Sequence, residues 1–169
     1  MQSAVIPENE AARLAALRAS TLLNTLPEPR FDRLTRLVQQ ALHTPIVLIS
    51  LLDEERQWFK SRQGLDVCET ARDISFCGHA ILGEGLFQIT DALADPRFAD
   101  NPLVTSAPFI RFYAGVPLNV AAQPIGTLCI IDSEPRTLSD AETAMLVAFA
   151  ELVEQEITDR LHEQAHQKL

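Results

Sequence analysis

Two neighbouring stretches, Arg111–Val120 and Ile125–Asp132, alternate side chains with the period of a β-strand, and between them they narrow the possible folds sharply. In the second, Leu128 and Ile130 point one way while Cys129 and Ile131 point the other. Both faces are therefore apolar, both need cover, and the strand is expected at the centre of a sheet. A short turn carrying Gln123 and Pro124 joins the two into a hairpin. The first strand sets Phe112, Ala114, Val116 and Leu118 against Arg111, Tyr113, Gly115 and Pro117 on its other side. That second set mixes a charge, a phenol and a glycine, so something other than plain core is expected to pack on it.

The remaining segments supply the cover. Glu8–Leu23 reads as a helix with Ala11, Leu14, Ala15 and Leu22 along one face, broken by Leu26-Pro27-Glu28-Pro29. A second helix spans Phe31–Leu42, where Phe31, Leu34, Val38, Ala41 and Leu42 keep the spacing of a buried stripe. Pro45–Asp53 and Gln57–Arg62 form another hairpin, with Trp58 and Phe59 on opposite faces and Lys60 and Arg62 on the side of Trp58. Gly64–Ile74 has no periodicity and reads as a loop able to close over a sheet face. Ser75 caps a short helix, Phe76–Leu82; Phe87–Thr90 is a short strand; Asp91 and Asn101 cap the turns that follow. Ser139-Asp140-Ala141-Glu142 is a capping box opening a last helix from about Asp140 to His166, on the order of 40 Å long. Its broad stripe of Met145, Leu146, Phe149, Leu152 and Val153 suits a sheet. Beyond Ile157 only Leu161 and Ala165 continue it, which suits a helix–helix seam.

Composition excludes several partners. With a formal net charge of −9 and no basic stripe, neither a phosphate backbone nor an anionic membrane surface is a favoured partner. The N-terminus has no basic start or signal-length apolar run, and the longest apolar stretch, Pro45–Leu52, falls far short of the ~20 residues that span a bilayer, so a cytoplasmic protein is expected. Three cysteines, Cys68, Cys77 and Cys129, without a Cys-x-x-Cys pair fit reduced thiols. His162-Glu163-Gln164-Ala165-His166 matches the zinc-protease helix pattern, but only three residues follow it, leaving no third ligand and no wall for a cleft. It reads as a solvated helix end, and no metal is expected.

Taken in order, these motifs resemble a GAF domain, of the bacterial branch found ahead of histidine kinases and diguanylate cyclases. The resemblance rests on Phe31-Asp32-Arg33-Leu34, Ser50-Leu51-Leu52-Asp53, Arg56-Gln57-Trp58-Phe59-Lys60, Ser75-Phe76-Cys77-Gly78-His79-Ala80-Ile81, Asp95-Pro96-Arg97-Phe98, Asn101-Pro102-Leu103-Val104, Arg111 to Leu118 and Ile125 to Asp132, and covers about residues 20–155. It implies an α+β fold: a GAF/PAS-like antiparallel central sheet with helices on its faces and long terminal helices. Within one domain, residues 1–26 would form an N-terminal helix and linker, 27–138 the sheet and pocket, and 139–169 a C-terminal signalling helix.

The resemblance further implies a non-catalytic regulatory module. It would sense a small molecule, without a resident cofactor, and relay its state to an output domain or partner. As the chain stops at Leu169 with no output domain, it is expected to be a fragment or to act on a separate partner. The terminal helices would pair in a homodimer, with Leu14, Val153, Ile157 and Leu161 at the seam. Candidate pocket residues are Phe76, Cys77, His79, Asp91, Asp95, Phe98, Asn101, Arg111, Tyr113 and Gly115. Among them Asp91 and Asn101 also read as plain caps, and Arg111 with Tyr113 as the pair suited to an anionic or planar ligand. The rival reading is a small redox enzyme using Cys77 with Cys68, as some GAF relatives, the free methionine sulfoxide reductases, use cysteines. The Cys-His dipeptide of bilin attachment and the Asn-Lys pair of cyclic-nucleotide binders are both absent.

Overall fold

The computed structural model describes residues 1–167. Its strands are β1 (Ile46–Leu52), β2 (Arg56–Gln63), β3 (Glu69–Ala71), β4 (Phe87–Ile89), β5 (Phe112–Val120) and β6 (Gln123–Asp132). They form one antiparallel sheet in the order β3-β2-β1-β6-β5-β4, so the hairpin strand β6 lies between β1 and β5 as its two apolar faces require. The helices are α1 (Glu10–Ala19), α2 (Pro29–Leu42), α3 (Cys77–Ala80), α4 (Pro102–Thr105) and α5 (Asp140–Gln167), giving the expected α+β architecture. The segment read as a loop after β2 carries β3 at its end, too short to leave a periodic signal.

Local chemistry sets the element ends. Pro29 opens α2, where a missing N–H costs nothing, and His43 closes it in the left-handed region at φ 51°. Thr21 and Asn24 take positive φ, which stops α1 at Ala19, short of the expected Leu23. Before α5 the capping box is made in both directions: Glu142 N donates to Ser139 Oγ at 3.1 Å and Ser139 N to Glu142 Oε1 at 3.0 Å. One turn differs from expectation. The loop between β5 and β6 is Ala121-Ala122 alone, at φ 52° and 63°, because Val120 already pairs with Gln123. Two positive φ values match the twist of a tight hairpin, but alanine pays for them where Asn-Gly would not. Replacing Ala121 by Asn together with Ala122 by Gly is expected to raise unfolding free energy by about 1–2 kcal/mol, read from urea midpoints.

The sheet separates two cores. On one face α1, α2 and α5 bury Leu17, Phe31, Val38, Leu146 and Val153 against Val47, Ile49, Ala114, Val116, Leu128 and Ile130. On the other, α3, α4 and the intervening turns pack Phe76, Ala80, Phe98 and Val104 against Leu48, Phe59, Tyr113, Cys129 and Ile131. The residues expected at a dimer seam are used within the chain. Leu14, Val153 and Ile157 keep 8%, 0% and 1% of their surface, and Leu161 is half-buried on the same core.

The reason is polar. Beyond Ile157 the stripe narrows because α5 is held there by Arg160, which donates to Ser20 O and Thr21 Oγ1 and pairs with Glu28 at 2.8 Å. Glu28 also receives Lys60 of β2 at 2.7 Å, and the Lys60 ammonium donates to Thr25 Oγ1 and Leu26 O. A bulge where β2 passes Ile49 and Ser50 aims both Lys60 and Ser61 at the α1–α2 region, with Ser61 donating to Asp32.

Candidate functional site

A cavity of about 350 Å³ opens on the α3–α4 face of the sheet. Its floor is built by alternation: Ile46 and Leu48 of β1, Phe59 and Gln57 of β2, Tyr113 of β5, and Cys129 with Ile131 of β6. Phe76, one residue before α3, forms a wall. The mouth lies between the β2–β3 connection, Gly64–Val67 with Thr70, and the end of the α4–β5 unit, where α4 contributes Leu103 and the connection after it Ala107, Pro108 and Ile110.

Two of the ten candidate residues line this space, Phe76 and Tyr113. Gly115 lies beneath the second: a Cβ built there would meet the Tyr113 phenol oxygen at 2.5 Å, so the close approach that glycine permits is that of the chain's own ring. Phe98 stands behind Phe76, stacked at 4.2 Å between centroids, with the His79 ring edge-on to it at 4.8 Å. Arg97 covers Phe98 and Phe87 from outside and is held by both oxygens of Asp95. Asp91 accepts from Leu93 N, and Asn101 accepts from Leu103 N while donating to Ile74 O, so both act as caps. Arg111, expected with Tyr113 to hold an anionic or planar ligand, donates to Val104 O at 2.8 Å and Ile110 O at 3.0 Å and does not line the cavity.

The floor residues Ile46, Leu48, Gln57, Phe59, Cys129 and Ile131 are ordinary strand positions with no motif of their own, and the mouth residues lie in connections without periodicity. The usable signal was the alternation that put Cys129 and Ile131 opposite Leu128 and Ile130, extended to Ile46 and Leu48. A larger cleft, about 670 Å³, lies between α5, the end of the β5–β6 hairpin and residues 81–85. It has Glu84, Glu151 and Glu154 in its lining but no aromatic side chain, whereas the smaller cavity combines an apolar, aromatic interior with a few polar side chains, Gln57, Asp66 and Thr70, the usual make-up of a small-molecule site.

The thiols are arranged for packing. Cys77 is 1% exposed, accepts from Thr127 Oγ1 at 3.5 Å, and burial pushes its thiol up, away from the thiolate that nucleophilic or redox work requires. Burial likewise pushes Cys129 up to about 12. Cys68 alone is exposed. Titration of the native protein with a chromogenic disulfide is expected to label one thiol promptly and all three only in denaturant. Prompt reaction at Cys77, identified by peptide mapping, would contradict this. At the C-terminal end of α5, Glu163 pairs with Arg30, and among the described residues no three His, Cys, Asp or Glu side chains converge as a metal site.

A two-faced sheet, with helices on one side and a chamber under short capped turns on the other, defines a class, and the comparison of sequences places the chain in it: residues 27–157 match the GAF domain model, and the chain belongs to that family. Among curated proteins it is 47% identical over 149 residues to a cyclic di-GMP phosphodiesterase of Pseudomonas aeruginosa, an alignment covering 87% of this chain and 25% of that protein. The chain thus spans about a quarter of that relative's length. Among solved structures it resembles the GAF domain of an Acinetobacter phosphoenolpyruvate-protein phosphotransferase, with TM-score 0.63 and 20% identity over 94% of this chain and 98% of that one. It also resembles a free methionine-R-sulfoxide reductase of Neisseria meningitidis, with TM-score 0.64 and 17% identity over 98% of each chain. At these identities the structural likeness is one of fold. None of the described helices is long and apolar enough to cross a membrane.

Proposed function

We propose that this GAF domain is a non-catalytic, cytoplasmic sensor of a small molecule, which relays occupancy of its cavity through α5 to an output domain or partner in signal transduction. The observation that carries the reading is that the same strands serve both cavity and helix. β5 and β6 turn Tyr113, Cys129 and Ile131 into the cavity and Ala114, Val116, Leu128 and Ile130 onto the core beneath α5. A ligand that shifts those strands shifts the bed of α5, since close-packed interiors transmit displacement. The P. aeruginosa relative, named for cyclic di-GMP hydrolysis, suggests the kind of output such a helix would address.

A chimera tests this: the matching segment of that phosphodiesterase is replaced by this chain, and cyclic di-GMP hydrolysis is followed. Cys129→Phe, which fills the cavity from β6, is expected to change turnover roughly threefold or more. Equal turnover in the filled and unfilled chimeras, both folded, would overturn the proposal. The homodimer reading moves to another surface, because Met145 and Leu152 are the large apolar side chains that α5 leaves exposed. Leu152→Glu is expected to weaken self-association in sedimentation without lowering the unfolding midpoint. Undiminished association in that variant would exclude this seam.

A further inference from the structure

We infer that the molecule received by the β1–β2–β5–β6 cavity is uncharged, flat and largely apolar, and is not an anionic nucleotide; this rests on the ligand-sensing reading above. No ammonium or guanidinium lines the cavity, and its one carboxylate, Asp66, sits at the exposed mouth. The cations adjoining the floor are engaged elsewhere: Lys60 is paired with Glu28, Arg62 donates to the Leu65 and Asp66 carbonyls, and Arg111 is committed to two backbone carbonyls. A phosphate brought inside would lose its hydration without gaining a counter-charge, and would meet Asp66 on entry. The interior offers aromatic surface instead, from Phe59, Phe76 and Tyr113.

Hydrogen-bonding capacity is almost spent as well. Gln57 accepts from Ser50 Oγ at 3.0 Å and donates to Thr70 Oγ1 at 2.5 Å. The Thr70 hydroxyl proton and the second Gln57 amide hydrogen are left as donors, enough to orient one or two acceptor atoms on an otherwise apolar ligand. Val67, apolar and 49% exposed, stands at the mouth where such a molecule enters. The effector is therefore chemically unlike the cyclic dinucleotide for which the P. aeruginosa relative is named.

The test is a fluorescence titration of the whole chain with N-phenyl-1-naphthylamine, an uncharged aromatic dye that brightens in apolar sites. Saturable binding at one site is expected, weakened roughly tenfold by Cys129→Phe. Val67→Lys, at an exposed position that leaves folding intact, is expected to weaken it roughly threefold, and Arg111→Ala to leave it unchanged. Neither cyclic AMP nor cyclic di-GMP is expected to displace the dye. Displacement by either nucleotide, lost again in Arg111→Ala, overturns the inference while leaving a ligand-sensing cavity in place. If neither dye nor nucleotide binds the folded chain, the inference fails, and the sensing reading stands or falls separately on the chimera.

Discussion

Gly126→Ala is expected to abolish the native fold or to remove more than about 4 kcal/mol of its stability. Gly126 sits in β6 opposite Leu51, and a Cβ there would lie 1.9 Å from Ser50 O and 2.9 Å from Leu51 Cα. Those atoms are backbone of the neighbouring central strand, so no rotamer change relieves the clash. The β1–β6 pair would have to part, and with it both the cavity floor and the bed of α5. Gly83→Ala is the matched control, since nothing lies within 4 Å of its added Cβ; it should unfold at the same urea concentration as the parent. A folded Gly126→Ala protein with an unchanged midpoint would mean that the β1–β6 register is wrong.

Glu28→Gln should cost about 3 kcal/mol, because it leaves the side chains of Lys60, fully buried, and Arg160, 9% exposed, without their shared carboxylate. Burial lowers the Lys60 ammonium from its ordinary value, so lysine gains little by being there except through Glu28. Converting Lys60→Met in the Glu28→Gln background should restore at least half of the loss, as an apolar side chain needs no counter-ion. Failure of that rescue would show that the cluster acts through Arg160 and the α1–α2 linker alone.

The pH dependence has a definite sign. Burial would raise the Glu28 carboxyl, but Lys60 and Arg160 outweigh it and hold it below 4.5; burial likewise opposes Arg13 and Arg72 at Glu10, which nevertheless falls to about 2. Carboxyls depressed in the folded state stabilise it fully above pH 4.5 and lose that contribution as pH drops towards 2. Acid unfolding should therefore begin below pH 4.5, with a shallower slope in Glu28→Gln.

The sheet was legible in the sequence because alternation with period two is a direct record of which face each residue meets. Phe112, Ala114, Val116 and Leu118 sit on the helix face, and Tyr113 and Cys129 on the cavity face, as that pattern requires. Caps were legible for a similar reason: Asp91, Asn101 and the Ser139–Glu142 box act within three residues of themselves. Long-range polar contacts left no such trace. Arg13 is fully buried, donating to Leu52 O and paired with Glu10, and Arg160 crosses from α5 to Glu28; nothing in the residues around either marks it as buried. Arg111 was misleading in the opposite direction, because a charge beside a phenol suggests a ligand anchor until its carbonyl partners are seen.

The central claim is that cavity occupancy reaches α5 through β5 and β6, and hydrogen exchange measures it most directly. With the cavity saturated by N-phenyl-1-naphthylamine, amide exchange should slow in residues 64–70 at the mouth and also in α5 between Asp140 and Ile157, on the far side of the sheet. Slowing confined to the mouth, with α5 exchanging as in the free protein, would contradict the account.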